Sequence, residues 1–336
     1  MTLEVIYVTR HGFRSNWLVD PSNGNYTTFI KSPTGGAADP ALTAHGVDQA
    51  NELAVRLLAV DPPIERVYSS LYYRCLQTVE PFVRKAQEQT LPARASTAAD
   101  RVAPLRIRGE TGLGEWYGSA NFEHPTPASL ETLGPLFPGL LDLDYGPVVT
   151  PNRMGEGIGE LHDRVAATMD ALIAECDKAG VRAILLCSHA AVIIALGRVL
   201  TGKMPDNVEV EDFKCFTCGL SVYRRRQGMR SKPKERDGTA SQVTAARHSD
   251  HHSRAGSALD WRRGQGVSGG WDCELNSDCA HLSLGEERGW RFSGDESFRD
   301  TPTEKSILQA GTPSGADSDG RAAGSGGRAE GSRGKL

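Results

Sequence analysis

The chain has 336 residues, 39% hydrophobic and 24% charged, enough for one large folded domain or two small ones. A net charge of -4 excludes a generally basic nucleic-acid binder. Seven cysteines and an N-terminal stretch without a basic start or a long apolar run point to reduced thiols in cytosol or nucleus, not to a secreted disulfide framework.

Glu4 to Thr9 reads as a first strand, and the run Val5-Ile6-Tyr7-Val8 suits the centre of a parallel sheet. Arg10, His11, Gly12 and Arg14 follow at once. A loop rich in Gly, Pro, Asn and Ser covers Pro21 to Pro40. Thr43 can cap a helix that follows Gly46 and carries Val47, Ala50, Leu53, Ala54, Leu57 and Leu58 on one face; Pro62-Pro63 stops it. A short strand at Arg66 to Ser69 leads to a helix from about Tyr72 to Lys85, and Leu105 to Arg108 is a further candidate strand. Thr111 to Gly155 has little regular pattern, and so long a loop in a compact domain is usually functional.

Glu160 to Lys178 is a helix with Leu161, Val165, Met169, Leu172 and Ile173 on one face, ended by Gly180. Ala183 to Cys187 is a buried strand by composition, Ser188-His189 ends it, and Ala190 to Leu200 is helical, closed by Gly202. Ser188, His189 and Arg198 make this most apolar region a strand, turn and helix instead of a membrane span. Phe213 to Tyr223 reads as the final strand. Strands alternating with helices give an α/β class with a mostly parallel central sheet.

The character changes past Tyr223. Residues 224–270 read as a basic disordered linker; Arg224, Arg225, Arg226, Arg230, Lys232, Lys234 and Arg236 crowd its start. A solvated run is the preferred reading of that cluster, with a nuclear-import signal or a nucleic-acid contact as the alternative. Residues 271–300 regain aromatic residues and read as a short β element. It is too small to stand alone and needs a surface, either the preceding domain or another protein, and the long linker favours another protein. Residues 301–336 read as a disordered tail: Gln309 to Leu336 holds eight glycines and no aromatic residue. Cys215 and Cys218, amid Phe213, Phe216 and Leu220, read as buried strand residues and not as zinc ligands. No metal site is expected.

His11 and His189 each end a buried strand, so both can meet on the carboxyl edge of one sheet, where ligands of such sheets bind. Arginine suits phosphate because its planar fork stays charged and donates several hydrogen bonds. Arg74 falls on the first turn of a helix, where the dipole also favours an anion. Glu110 and Glu115 lie in the irregular segment after the fourth candidate strand.

RHG after the first strand, LTAHGVDQA, SSLYYRCLQT, ETGLGEW, GEGIGELHDRV and LLCSHAAVIIAL, in this order, resemble the histidine phosphatase superfamily, also called phosphoglycerate mutase-like, over roughly residues 1–223. The resemblance implies a three-layer α/β sandwich and a metal-independent phosphomonoesterase of the histidine acid type, working without a cofactor on a phosphate ester. It assigns His11 as the nucleophile that becomes phosphohistidine. It assigns Arg10, Arg14, Arg74 and His189 to phosphate binding, with His189 also counted as catalytic. Glu110 is the expected proton donor by its place in E-x-G-L-x-E-W, and Glu115 is the reserve. Three positions differ from the family pattern: Phe13 stands where an acidic residue is common, and Ala190-Ala191 replaces Gly-Gly.

RHGFRSNW, SSLYYRCLQTVEPF and GLGEWYG also resemble the phosphatase-like domain of the fungal transcription factor IIIC tau subunits. Residues 271–300 resemble the small C-terminal β-module of that family. This second resemblance implies a nuclear protein (cytoplasm is the alternative) that joins other transcription factor IIIC subunits in RNA polymerase III initiation, with no base-specific nucleic-acid contact and no membrane. A catalytically idle scaffold in that factor is one alternative function, and a phosphoglycerate mutase-like enzyme of small-molecule metabolism is another.

Overall fold

In the computed structural model, residues 2–90, 103–227 and 260–293 are described. They all fall within one compact unit, residues 1–301; a second unit, 302–336, lies outside the described residues. The elements in chain order are β1 (Val5–Arg10), β2 (Trp17–Asp20), β3 (Asn25–Thr28), α1 (Ala44–Leu58), β4 (Arg66–Ser69), α2 (Tyr73–Thr90), β5 (Ile107–Gly109), α3 (Leu130–Leu136), α4 (Ile158–Ala179), β6 (Ala183–Ser188), α5 (Ala190–Thr201), β7 (Leu220–Arg225) and β8 (Trp271–Asp278).

Six strands make the central sheet in the order β5-β4-β6-β1-β7-β8. β5, β4, β6 and β1 run parallel, β7 is antiparallel to β1, and β8 is antiparallel to β7. Alternate residues of the buried strands feed opposite faces, as the twofold pleat requires. Ile6, Val8, Ile184 and Leu186 pack under α4 and α5, whereas Val5, Tyr7, Val67 and Leu185 pack under α1 and α2. The result is the expected three-layer, mostly parallel sandwich.

Local signals place most elements within a few residues. Thr43 is the N-cap of α1, its hydroxyl accepting from the Gly46 amide at 3.1 Å. Gly180 closes α4 and Gly202 closes α5 in the left-handed conformation, where a side chain would be strained. The hairpin of β2 and β3 and the short helix α3 lie in stretches to which the sequence pattern assigns no element. Neither carries the apolar periodicity of a buried element, and each is held by tertiary contact.

The domain boundary at residue 223 is corrected. β7 continues through Arg225, and residues 260–270, expected to be linker, are packed: Trp261 is fully buried and stacks on His162 of α4. The basic run that suggested a solvated segment begins as neutralised strand residues. Arg224 pairs with Glu274, Arg225 with Asp177 and Arg226 with Asp272. The expectation that 271–300 docks on another protein is corrected as well. β8 is the sixth strand of the chain's own sheet, Trp271 is fully buried, and Trp290 and Phe292 pack on Trp116. The tail, and the linker from residue 228 to residue 259, lie outside the described residues.

Because Trp271 anchors β8 in the core, Trp271→Ala should cost about 3–5 kcal/mol of stability. Urea unfolding checks this; an undocked segment would leave the midpoint unchanged.

Candidate active site

The parallel pairing of β1 with β6 sets Arg10 opposite Ser188, so His11 and His189 follow at matching positions on the carboxyl edge. The His11 amide donates to the Ser188 carbonyl at 3.1 Å, and the two imidazole centroids lie 5.4 Å apart. β4 brings Ser69 level with Cys187 on the other side of β6, and Ser70 follows it. The turn after His11 is tight: a Cβ on Gly12 would meet the Gly46 carbonyl, and a Cβ on Gly46 would meet the Phe13 backbone. The N-terminus of α1 therefore sits directly on this turn.

His11 is buried, and its Nδ1 lies 2.9 Å from the Gly12 carbonyl. A carbonyl only accepts, so Nδ1 carries the proton and Nε2 keeps its lone pair. Burial, then Arg74, Arg14 and Arg10, hold the imidazole well below the ordinary 6.5. His11 is thus neutral, with a defined tautomer.

Arg10, His11, Arg14, Asn16, Thr217 and Arg288 line a cavity of about 40 Å³. Arg10 donates from Nη1 to the Cys215 carbonyl at 2.8 Å and to the Arg288 carbonyl. The buried Nε atoms of Arg10, Arg14 and Arg74 have no hydrogen-bond partner among the described residues. Burial lowers the pKa of Arg10, and burial with Arg74 brings Arg14 down to about 9. Such crowded, unsatisfied cations are what an anion would relieve.

Arg74 is fully buried on the first turn of α2. It pairs with Asp39 at 3.2 Å and with Glu115 at 3.0 Å, and donates to the Ala38 carbonyl at 3.1 Å. Glu115 Oε2 also lies 3.2 Å from His189 Nδ1, and His189 Nε2 lies 2.8 Å from Ser70 Oγ. Burial opposes charge on both partners. For Glu115 it is outweighed by His189, Arg74 and Arg14, which hold the carboxyl far below its usual range. For His189 it is outweighed by Cys75 and Glu115, which raise the imidazole.

Glu110, the expected proton donor, does not join this group. Its carboxylate accepts from the Gly112 amide at 2.8 Å, the Tyr145 hydroxyl at 2.7 Å and the Val148 amide at 3.0 Å, tying the long loop to the end of β5. Glu115 stands with His11 and His189, their ligand atoms all within 4.8 Å of one another. That trio is the one cluster with metal-ligand spacing among the described residues. Arg74 Nη2 touches both Glu115 Oε2 at 3.0 Å and His189 Nδ1 at 3.3 Å, and a divalent cation there would meet a fixed positive charge. The cysteines form no such cluster among the described residues.

Asp39, Ser70, Thr78 and Arg288 are site residues that the sequence reading missed. Thr78 Oγ1 accepts from the Gly12 amide at 2.9 Å. Ser70 and Thr78 both lie inside the SSLYYRCLQT motif, whereas Asp39 and Arg288 have no local signal. Beside the site, a cleft of about 300 Å³ is lined by Tyr72, Glu115, Tyr117, His124, Pro125 and Leu130, among others.

The family model for the histidine phosphatase superfamily (branch 1) matches residues 6–232. The chain belongs to the histidine phosphatase superfamily. It is 31% identical over 299 residues to the transcription factor tau 55 kDa subunit of Saccharomyces cerevisiae, covering 87% of this chain and 59% of the yeast protein. It is 29% identical over 177 residues to the ecdysteroid-phosphate phosphatase of Drosophila melanogaster, covering 52% of this chain and 21% of the fly protein. Among solved structures, the ecdysone phosphate phosphatase from Bombix mori in complex with tungstate superposes with a TM-score of 0.47 at 20% identity, covering 74% of this chain and 98% of that one. The histidine phosphatase fold and the similarity to a transcription factor tau subunit thus stand together in one chain. No helix among the described residues is long and apolar enough to cross a membrane.

The tautomer and charge of His11 are directly measurable. A free imidazole is more than half protonated at pH 6, since its pKa is about 6.5. His11, with a depressed pKa, gains its proton only at lower pH, so imidazole nitrogen NMR at pH 6 should show it neutral and protonated at Nδ1.

Proposed function

We propose that this histidine phosphatase chain is a phosphomonoesterase that acts through phosphohistidine at His11. The carrying observation is a neutral His11 with an unprotonated Nε2 inside a pocket of buried, partly unsatisfied arginines. Its Nε2 attacks phosphorus, the ester P–O bond breaks, and Arg10, Arg14, Arg74 and His189 hold the phosphoryl oxygens as charge shifts among them. The proton shared by His189 and Glu115 across 3.2 Å passes to the leaving oxygen. Phosphate bound at Arg74 and His189 offsets the charges that keep Glu115 ionised, which lets that carboxyl carry the proton. Water then attacks phosphohistidine, His11 is restored, orthophosphate departs, and the water's proton returns to the His189–Glu115 pair. Glu115 also lines the 300 Å³ cleft, so that cleft receives the leaving group.

His11→Ala should abolish hydrolysis, and acid-quenched wild type should carry phosphate on His11. Glu115→Gln should slow alkyl phosphates by about 10²–10⁴-fold and p-nitrophenyl phosphate far less, because nitrophenolate leaves without a proton. Equal losses on both substrates, in kcat measured side by side, would refute the proton-donor role.

A second role rests on the similarity to the yeast tau 55 kDa subunit, which runs over 87% of this chain. We propose that the protein works in the nucleus with other transcription factor IIIC subunits in RNA polymerase III initiation. Affinity purification from nuclear extract tests this. Recovery without any transcription factor IIIC subunit refutes it, and recovery with those subunits by an inactive wild type favours a scaffold role.

A further inference from the structure

We propose that Arg288 is a phosphate-binding residue of the His11 pocket, supplied by a C-terminal segment outside the family match. The inference rests on the reading of that pocket as a phosphate site. The match ends at residue 232, yet Arg288 lines the same 40 Å³ cavity as Arg10, His11 and Arg14.

The segment is fastened to both sides of the His11 turn. The Glu287 carbonyl accepts from the Thr217 amide at 3.1 Å. The Glu287 carboxylate accepts from Gln49 Nε2 at 2.7 Å and meets His45 Nε2 at 2.5 Å. Gln49 in turn accepts from the Phe13 amide at 2.9 Å. The Arg288 carbonyl accepts from Arg10 Nη1, so the segment's backbone also helps orient a phosphate arginine.

The Arg288 side chain is held separately from that backbone contact. Its guanidinium carbon lies 4.3 Å over the Phe13 ring, and Nη1 donates to Asn16 Oδ1 at 3.0 Å. Phe13 stands where the family commonly has an acidic residue. A carboxylate there would pair with Arg288 and neutralise it; the aromatic face supports the guanidinium and leaves its charge available. Arg288 is exposed at the mouth, while Arg74 is fully buried below, where Asp39 and Glu115 share its charge. The phosphate of an entering ester therefore meets Arg288 on its solvent side.

Calorimetric binding of orthophosphate, with p-nitrophenyl phosphate kinetics alongside, tests the assignment on the full chain. Arg288→Ala preserves the carbonyl that Arg10 uses and should weaken orthophosphate binding about tenfold, the scale of one charge-assisted contact. Arg288→Lys should recover part of the loss. Arg288→Met keeps the apolar stem and guards against misfolding, and wild-type orthophosphate affinity in either folded neutral variant overturns the proposal. A loss confined to acidic-flanked phosphopeptides, with orthophosphate binding unchanged, overturns it too. Arg288-dependent orthophosphate binding by a protein inactive on every ester supports the assignment and removes the phosphatase reading. Turnover with Arg288-independent binding does the reverse, and absence of orthophosphate binding by wild type removes both.

Discussion

The charge of Arg74 is the constraint on which the site depends. Its side chain has no solvent exposure, and an isolated buried cation is costly enough that partners must be supplied. Asp39 comes from the loop before α1, Glu115 from the segment after β5, and the Ala38 carbonyl closes the set. Satisfying one guanidinium thus pins two irregular segments against the first turn of α2. Glu115, once placed, orients His189, and Ser70 holds the other face of that ring.

The same electrostatics set the resting state of the pocket. Arg10, Arg14 and Arg74 surround His11 at close range and, with burial, keep it neutral. Against the cost of burial, His189 and the same arginines keep the Glu115 carboxyl ionised. His11 and Glu115 are therefore both held deprotonated, whereas His189, beside Cys75 and Glu115, is drawn toward its protonated form. A phosphate dianion would redistribute these charges.

Residues 260–293, beyond the family match, are part of the same body. β8 extends the central sheet, and Trp261, Trp271 and Phe292 are buried against the face covered by α4 and α5. The segment that follows β8 returns over the His11 turn through Glu287 and Arg288. A fold whose carboxyl edge is built by four parallel strands is completed, at the mouth of its pocket, by residues far along the chain.

Much of this was legible in the sequence because it is local. Apolar periodicity, Thr43 as a cap, and Gly180 and Gly202 as helix stops each act within a turn or two, and they delimit α1, α4, β6 and α5 closely. The two strand-ending histidines and Arg74 were readable for the same reason, since each adjoins a strong element. Distance in sequence is what hid the rest. Glu110 and Glu115 share one irregular segment, and only the competing demands of Tyr145 and Arg74 decide which carboxylate faces His11. The basic run at residue 224 looked solvated because its partners, Asp177, Asp272 and Glu274, lie 46 to 50 positions away. Arg288 stands 278 residues from Arg10, and no periodicity links them. Short-range steric and capping preferences belong to the sequence, whereas charge neutralisation and strand pairing belong to whichever distant groups the folded chain brings together.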